Sequence, residues 1–447
     1  MPKPNVLFLF GDQWRKQALG YAGDPNVKTP HLDAFAQQNI NMTNAYSGCP
    51  VCTPYRASLI TGQLPLTHGL FLNDAPLSDD AVSIAQAFAS EGYDTAYVGK
   101  WHVDGKGRSS YIPPERRQGF DYWKVLECTH SYNASPYYDQ DDDTQLQWEG
   151  YDAYSQTVDM QNYLKDHSSN KPFLAMLSWG PPHNPYETAP DRYKKMYDPE
   201  KIILRDNVPS ELEARAREEL AGYYAHCSAL DECFDMLMKT LKDEGIYEDT
   251  IVVFTSDHGD MISSQGEQRK QRPWAESARI PFLIGCPQIF GSSGKVVDGF
   301  IDAPDIMPTL LDLCGIDIPT TVEGRSFADH LKGGLDPSEG CGVVACYHPF
   351  GEFLRRNGAN EYRAILTDSH TYCKTLEGPW LLYNNTVDPF QENNLANNPN
   401  YESLQVSLND QLDSQLARRD DTFEKGDDYI KKWNYSVDSS GTMAYGP

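Results

Sequence analysis

Four short apolar runs in the chain share one arrangement, in which each run ends at charged, amide or imidazole side chains. The runs cover Asn5–Phe10, Asp94–Val98, Pro172–Ser178 and Thr250–Thr255. Each run is continuously apolar and does not alternate with polar residues, a pattern typical of parallel strands covered on both faces. The pattern therefore predicts four buried strands whose ends carry polar chemistry.

Several segments between and around these strands have helical periodicity. The predicted helices cover Thr29–Gln38, Ser83–Ser90, Tyr154–Lys165 and Ser210–Asp243. In the longest of them, Ser210 and Glu213 have the spacing of a capping box. Alternating strands and helices predict an α/β fold with a large, mostly parallel sheet between helices. Ligands bind such sheets at the carboxyl ends of the strands, so we expect the four strand ends to share one crevice.

The pattern changes after about residue 340. Short strands separated by turn residues are predicted at Tyr362–Leu366, His370–Leu376 and Trp380–Tyr383. We therefore expect a catalytic α/β domain over residues 1–340. A smaller C-terminal α+β subdomain with an antiparallel sheet is expected over residues 341–447.

Charge and hydropathy narrow the range of partners. With 38 Lys+Arg against 64 Asp+Glu, the 447 residues carry a formal charge of −26. This charge argues against binding to nucleic acid or an anionic membrane, and an anionic substrate would need a locally basic pocket. No apolar run approaches the roughly 18 residues of a membrane helix, and the first strand leaves no room for a secretory signal. We expect a cytoplasmic protein, or a periplasmic one if the sequence is trimmed.

The segment from Cys52 to Gly62 carries the most distinctive chemistry. Thr53-Pro54 predicts a helix start and Gly62 its C-terminal cap. Cys52 would lie just before the helix N-terminus, where unpaired N–H groups and the helix dipole favour an anion. Arg56, one turn later, is expected to bind the same anion. The segment therefore predicts an anion site with a sulfur atom at its entrance.

The ten cysteines leave two other hypotheses for this segment. Cys49 and Cys52 form a Cys-x-x-Cys motif, but it does not open a short thioredoxin-sized βαβ unit, which disfavours a redox pair. A structural zinc site needs a second ligand pair, and no other Cys-x-x-Cys exists. Most of the cysteines are expected to be buried free thiols.

The residues Cys52-Thr-Pro-Tyr-Arg56 resemble the Cys-x-Pro-x-Arg signature of type I sulfatases, a branch of the alkaline-phosphatase-like superfamily. Other motifs are similar to this family in the same order along residues 5–396. They are Gly11-Asp12-Gln13, Gly99-Lys100-Trp101-His102, Pro181-Pro182-His183-Asn184-Pro185-Tyr186, and Ser256-Asp257-His258-Gly259-Asp260 with Lys270. On these motifs the chain is identified as a member of the family.

The resemblance implies a modified residue and a metal. A formylglycine-generating maturation enzyme would oxidise Cys52 to formylglycine, the catalytic aldehyde. Asp12, Gln13, Asp257 and His258 would bind a divalent cation. Carboxylate and amide oxygens suit Ca²⁺, whereas the nitrogen of His258 leaves Mn²⁺ or another divalent ion as the alternative.

The resemblance also implies roles for the remaining residues. The hydrated aldehyde would attack sulfur with help from Arg56. Lys100 and Lys270 would stabilise charge on the sulfuryl oxygens. His183 or Lys270 would protonate the leaving alcohol, and His102 would take a proton from the second hydroxyl so that sulfate leaves. Residues that we interpret as structural or supporting are His31, His68, His130, His226, His348, Asn73, Asp260 and Glu267.

The implied activity is hydrolysis of sulfate esters on a saccharide. The alternatives are a phosphonate monoester hydrolase or phosphodiesterase, whose metal set also has Asp-Gln and Asp-His, and a choline-sulfatase-like enzyme. Trp101, Trp179, Trp274 and the tyrosine-rich 132–154 loop either stack on sugar rings or belong to the core. Whether the protein forms homo-oligomers is left open.

Overall fold

The computed structural model describes residues 3–167, 171–351, 353 and 360–444. The strands are β1 (Asn5–Asp12), β2 (Ile40–Met42), β3 (Asp94–Lys100), β4 (Tyr122–Leu126), β5 (Pro136–Asp139), β6 (Leu146–Gln147), β7 (Phe173–Pro182), β8 (Thr250–Ser256), β9 (Phe282–Gly285), β10 (Lys295–Val297), β11 (Cys341–Cys346), β12 (Tyr362–Thr367), β13 (His370–Thr375) and β14 (Gly378–Asn384).

The α-helices in the same described ranges vary from one turn to eight turns. They are α1 (Pro30–Gln38), α2 (Cys52–Thr61), α3 (Pro65–His68), α4 (Ile84–Ser90), α5 (Asp152–Asp166), α6 (Asp191–Lys194), α7 (Glu213–Asp243), α8 (Ala275–Ala278), α9 (Pro287–Phe290), α10 (Ala303–Leu313), α11 (Ala328–Leu331), α12 (Glu402–Arg418) and α13 (Gly426–Lys432). At about 3.6 residues per turn, α7 is by far the longest of them.

A sheet of ten strands forms the centre of the fold, in the order β10-β2-β9-β8-β1-β7-β3-β4-β5-β6. The four strands predicted from apolar runs are the adjacent β8, β1, β7 and β3, and they are all parallel. Successive side chains of β1 point to opposite faces of the sheet, and each face is covered by its own hydrophobic cluster. Phe8 packs into one cluster and Leu9 into the other. Because both faces are covered, the strand is apolar at every position, which confirms the prediction.

The C-terminal part contains an antiparallel sheet in the order β11-β12-β13-β14. Three of these strands match the predicted ones, and β11 is an additional strand. Leu412 of α12 packs with Ile365 on one face of this sheet. The other face shares a core with the larger part of the chain, for example between Tyr362 and Trp274. The small sheet therefore packs directly against the part of the chain that contains the large sheet.

The start of α7 differs from the prediction. Ser210–Leu212 forms a 3₁₀ turn that runs directly into α7 at Glu213, and the residue before the helix, Leu212, makes no side-chain cap. Because the turn already has helical dihedral angles, Ser210 does not occupy the N-cap position and the predicted capping box is wrong. Capping boxes are instead present at α4, where Ser83 is the N-cap, and at α10, where Asp302 is the N-cap.

Among the described helices, none has the length and apolar character needed to cross a bilayer.

Gly99 allows β3 to approach β7 closely just before Lys100. Its φ is +100°, and a Cβ atom would lie 2.1 Å from the carbonyl oxygen of Ser178. We expect Gly99→Ala to lower the free energy of unfolding by about 3 kcal/mol or more, because strain and a backbone clash add. Urea denaturation followed by circular dichroism measures this loss.

Gly92 provides the matched control for this prediction. Its φ is +83°, but a Cβ atom would have no neighbour within 4 Å. Gly92→Ala is expected to cost about 1 kcal/mol, since only the left-handed backbone conformation is penalised. Equal losses in the two variants would contradict the close approach of β3 and β7.

Candidate active site

The carboxyl ends of β1, β3 and β8 bring opposite charges together in the interior. Asp12 ends β1, Lys100 ends β3 and Asp257 follows β8. The Nζ atom of Lys100 lies 2.6 Å from Oδ2 of Asp12, and both side chains are buried. Buried charges are retained only when they are paired or bind a ligand. The strand ends therefore converge as predicted, on a strongly polar centre.

Cys52 lies at this centre as the first residue of α2. The helix thus begins one residue earlier than predicted, with Val51 as the N-cap, and all ten of its residues are buried. Lys270 donates from Nζ to the Cys52 sulfur over 2.8 Å, and Nε2 of His258 lies 3.3 Å from the same atom. Gly62 ends the helix in the left-handed conformation, which confirms the predicted cap.

The two cysteines of the Cys-x-x-Cys motif have opposite electrostatic environments. Burial and Asp12 oppose the thiolate of Cys52, but Lys100, Lys270 and His258 outweigh them and hold its pKa well below the usual range. Burial raises the pKa of Cys49 well above its usual range. All ten cysteines are free and buried, so Cys49 and Cys52 do not form a disulfide in this structure.

Four side chains could hold a metal ion together. One ligand atom from each of Asp12, Cys52, Asp257 and His258 lies within 4.8 Å of the other three. The His258 ring places Nδ1 3.0 Å from the carbonyl oxygen of Gly259, which can only accept a hydrogen bond. Nδ1 therefore carries a proton and Nε2 faces the cluster, where a bound metal ion would take its lone pair, as in metal-binding histidines.

Gln13 contacts this cluster through its backbone and has a buried side-chain oxygen. Its Nε2 donates to Oδ2 of Asp260 over 2.5 Å, and its backbone N–H donates to Oδ1 of Asp257 over 2.9 Å. Its Oε1 is buried and has no hydrogen-bond partner among the residues described. Buried polar atoms are rarely left without a partner, so this oxygen fits a metal ligand. The predicted metal residues are thus brought together, and Asp260 orients one of them.

Arg56 binds protein groups, whereas the sequence predicted that it binds an anion at Cys52. Nη2 donates to Asp12 over 3.1 Å and to Asp257 over 3.2 Å. Nη1 donates to the carbonyl oxygen of Lys100 and to the hydroxyl of Ser178. Because both terminal nitrogens bond protein groups, the guanidinium does not fork onto an anion at Cys52. Arg56 instead fixes the two carboxylates and ties α2 to the strand ends.

His102 is held by a carboxylate that sequence analysis did not single out. Oδ1 of Asp74 lies 2.9 Å from Nε2 of His102, and Oδ2 accepts from Arg108 over 3.0 Å. Nδ1 of His102 is buried and has no hydrogen-bond partner in the described part of the chain. Burial opposes charge on the ring, but Cys128, Asp74 and Cys52 raise the pKa of His102 to about 10.

His183 and Lys270 form a contact pair on the opposite side of Cys52. Nδ1 of His183 lies 2.8 Å from the carbonyl oxygen of Asn184, and Nε2 lies 3.2 Å from Nζ of Lys270. Burial and the charge of Lys270 lower the pKa of His183 well below its usual range. The ring is therefore neutral, with Nδ1 donating and Nε2 accepting from Lys270. His130, interpreted above as structural, stacks on His183 with ring centroids 4.6 Å apart.

Comparison with known proteins agrees with this geometry. A family model described as sulfatase matches residues 4–316, more than half of the chain. The chain belongs to the sulfatase family. A second model, described as the C-terminal part of N-sulphoglucosamine sulphohydrolase, matches residues 267–418. The protein is therefore a sulfatase with an alkaline-phosphatase-like fold, as the motifs predicted.

Individual relatives of this sulfatase match over nearly its whole length. It is 48% identical to an ulvan-active sulfatase from Formosa agariphila, over 97% of this chain and 85% of the relative. It is 31% identical to an endo-4-O-sulfatase from Bacteroides thetaiotaomicron, over 94% of this chain and 92% of the relative. A solved structure from work on glycosaminoglycan metabolism by Bacteroides thetaiotaomicron superimposes with a TM-score of 0.85 at 30% identity, covering 96% and 98% of the two chains.

The burial of several aromatic side chains argues against the hypothesis that they stack on sugar rings. Trp101 and Trp179 are completely buried, and Trp274 is nearly so. Trp101 packs edge-on against Trp123, and Tyr132 of the tyrosine-rich loop is also buried. These side chains therefore belong to the core and do not present a face to a sugar.

Proposed function

We propose that this sulfatase removes sulfate from a sulfated saccharide through an oxidised side chain at position 52. The observation that carries the proposal is the position of the Cys52 sulfur, 2.8 Å from Nζ of Lys270 at the start of α2. Positive charge and helix N–H groups at one point favour the oxyanion of a sulfuryl group. The 48% identity to an ulvan-active sulfatase makes ulvan fragments the first saccharides to test.

Two groups would complete the site. Formylglycine, once formed from Cys52, supplies as its hydrate the oxygen that attacks sulfur and a second hydroxyl for release of sulfate. Asp12, Gln13, Asp257 and His258 would hold a divalent cation, proposed as Ca²⁺, which supplies positive charge near the sulfuryl oxygens. The unpartnered Oε1 of Gln13 and the lone pair of His258 Nε2 support this ligand set.

Lys270 is placed to act on the leaving oxygen. Its Nζ lies between the Cys52 sulfur at 2.8 Å and Nε2 of His183 at 3.2 Å. Because His183 accepts at Nε2, the proton available to a leaving alkoxide is the one on Lys270. We assign Lys270 as the general acid and His183 as the residue that orients it. Lys100, at the end of β3, forms an ion pair with Asp12 and contributes positive charge to the site.

His102 is placed to take a proton at Nδ1. The Asp74 contact at Nε2 holds the ring proton there, which leaves the Nδ1 lone pair free for the second hydroxyl at position 52. Oxidation of Cys52 removes one of the groups that raise the pKa of His102. A cation held by the four ligands also repels charge on the ring. Both changes favour the neutral ring that a base requires.

The reaction class is tested by comparing matched aryl sulfate and aryl phosphonate esters. The enzyme is co-expressed with a formylglycine-generating enzyme, and kcat/KM is measured for both esters. We expect a preference for the sulfate ester, and release of sulfate from ulvan oligosaccharides. A preference for the phosphonate would instead assign the protein to the phosphonate hydrolases, which also use Asp-Gln and Asp-His ligands.

Calcium is expected to stabilise the enzyme through Gln13. Adding Ca²⁺ after chelation should raise the melting temperature, because the ion binds the folded state only. Gln13→Met removes one ligand and should abolish most of this rise, whereas Gln17→Met, on the same loop, should retain it. Differential scanning fluorimetry gives the shifts, and metal analysis of the untreated protein identifies the ion. An undiminished shift in Gln13→Met would exclude Gln13 as a ligand.

A further inference from the structure

A cavity of about 360 Å³ lies between the loop after β1 and the C-terminal sheet. Three basic residues line it, Lys16, Arg205 and Arg279, and no acidic residue does among those described. The chain as a whole has 64 acidic against 38 basic residues, so this lining is opposite in sign to the rest of the protein. None of the lining residues belongs to the cluster around Cys52.

Two of these cations are not neutralised by an ion pair within the described residues. Lys16 donates from Nζ only to the carbonyl oxygen of Thr43, over 2.5 Å. Arg279 donates from Nη1 to the backbone and side-chain oxygens of Asn44, and its guanidinium lies over the ring of Phe300. Its Nε and Nη2 have no hydrogen-bond partner among the residues described. Burial and the charge of Arg279 lower the pKa of Lys16 to about 8. Asp298 acts in the opposite direction on Lys16, and Asp368 does so on Arg279, but neither carboxylate forms an ion pair with these cations in the described part of the chain.

The other walls of the cavity resemble a sugar site more than a simple ion site. The guanidinium of Arg205 lies over the ring of Phe390, 4.8 Å from its centroid, and pairs with Glu276 outside the lining. Asn385, Thr371 and Gln391 form a polar wall in which Asn385 donates to Thr371 and Gln391 donates to both. Ligand pockets for small organic molecules start at about 300 Å³, and a single oxyanion would leave most of this space empty.

We propose that this cavity binds an anionic saccharide unit, with its carboxylate or sulfate between Lys16 and Arg279 and its ring towards Phe390. Free N–H groups of lysine and arginine match the oxygens of such an anion, and arginine binds it in a bidentate manner. The site would hold a charged sugar without reacting with it. It therefore extends beyond the hydrolysis proposed at position 52.

The test is isothermal titration calorimetry of the full-length protein with three probes. D-Glucuronate carries the charge on a sugar, D-glucose lacks the charge, and inorganic sulfate lacks the sugar. We expect glucuronate to bind the wild type, and the Lys16→Gln/Arg279→Gln variant to bind it at least tenfold more weakly. A control variant, Arg418→Gln/Lys431→Gln, removes the same charge from two exposed positions and should bind as the wild type does.

Several outcomes would overturn this proposal. They are equal glucuronate affinity in the wild type and the cavity variant, equal binding of glucose, or binding of inorganic sulfate without glucuronate. If the double variant does not fold, Lys16→Gln alone, at a partly exposed side chain, must still weaken glucuronate binding at least threefold. Because glucuronate has no sulfate ester, failure here leaves the proposed sulfatase reaction untouched.

Discussion

Replacing Cys52 with alanine is expected to lower kcat by on the order of 10⁴-fold or more while the protein stays folded. The change removes the sulfur through which Cβ would be oxidised to the aldehyde, so under the proposed mechanism neither attack on the sulfate ester nor release of sulfate can use this position. It leaves the Lys100–Asp12 pair and the Arg56 contacts in place. Turnover of an aryl sulfate and the thermal unfolding curve are measured together, on enzyme co-expressed with the maturation partner.

Cys49→Ala is the matched control for this result. Cys49 is equally buried and three residues away, but its raised pKa and its packing against Phe71 give it no part in the cluster. We expect its variant to keep most of the activity. Full turnover in Cys52→Ala would refute the proposed mechanism, whereas loss of activity in both variants with lowered melting temperatures would point to packing alone.

Replacing Asp74 with asparagine is expected to lower kcat by roughly 10² to 10⁴-fold and to lower KM with it, because kcat/KM is set by the first half of the reaction. An amide can donate to Nε2 of His102, which moves the ring proton to Nδ1 and blocks the base. The loss should fall on release of sulfate, because the first half of the reaction does not use His102. Rapid mixing should therefore show a burst of one equivalent of alcohol, followed by slow turnover.

The control for Asp74 lies in the loop that carries His102. Asp104 is also a buried carboxylate paired with an arginine, Arg116, but it does not contact His102. Asp104→Asn should lose a similar amount of stability without producing a burst. If the burst rate and the steady-state rate of alcohol release fall by the same factor in Asp74→Asn, then Asp74 supports the fold and does not set the proton position on His102.

The sheet and the strand ends were predictable because they follow from contiguous residues. Parallel strands covered on both faces are apolar at every position, so β1, β3, β7 and β8 stand out individually in the sequence. Their shared edge then places Asp12, Lys100 and Asp257 together without any knowledge of loops. The antiparallel strands β12 to β14 were found for a similar reason, from turn residues between short apolar segments.

The remainder of the site depends on loops whose course no local pattern specifies. Asp74 and His102 come from different loops, and both have positive φ, which non-glycine residues adopt only when tertiary contacts impose it. Glu127 imposes part of this conformation by accepting the backbone N–H groups of His102, Asp104 and Gly105. The pairing of Asn73 with the N–H of Thr53 is equally non-local. The contacts of Arg56 were not predictable because its partners lie on β1, β3 and β7 and directly after β8.

The complete burial of α2 sets an order of events in the biosynthesis of this enzyme. The Cys52 side chain is about 1% exposed. The other residues of the Cys-x-Pro-x-Arg motif, which a modifying enzyme would have to bind, are also buried in the folded protein. If position 52 is oxidised as proposed, the modifying enzyme would have to reach this segment before the chain folds around it. Under that proposal, the yield of active enzyme would depend on the rate of maturation relative to the rate of folding.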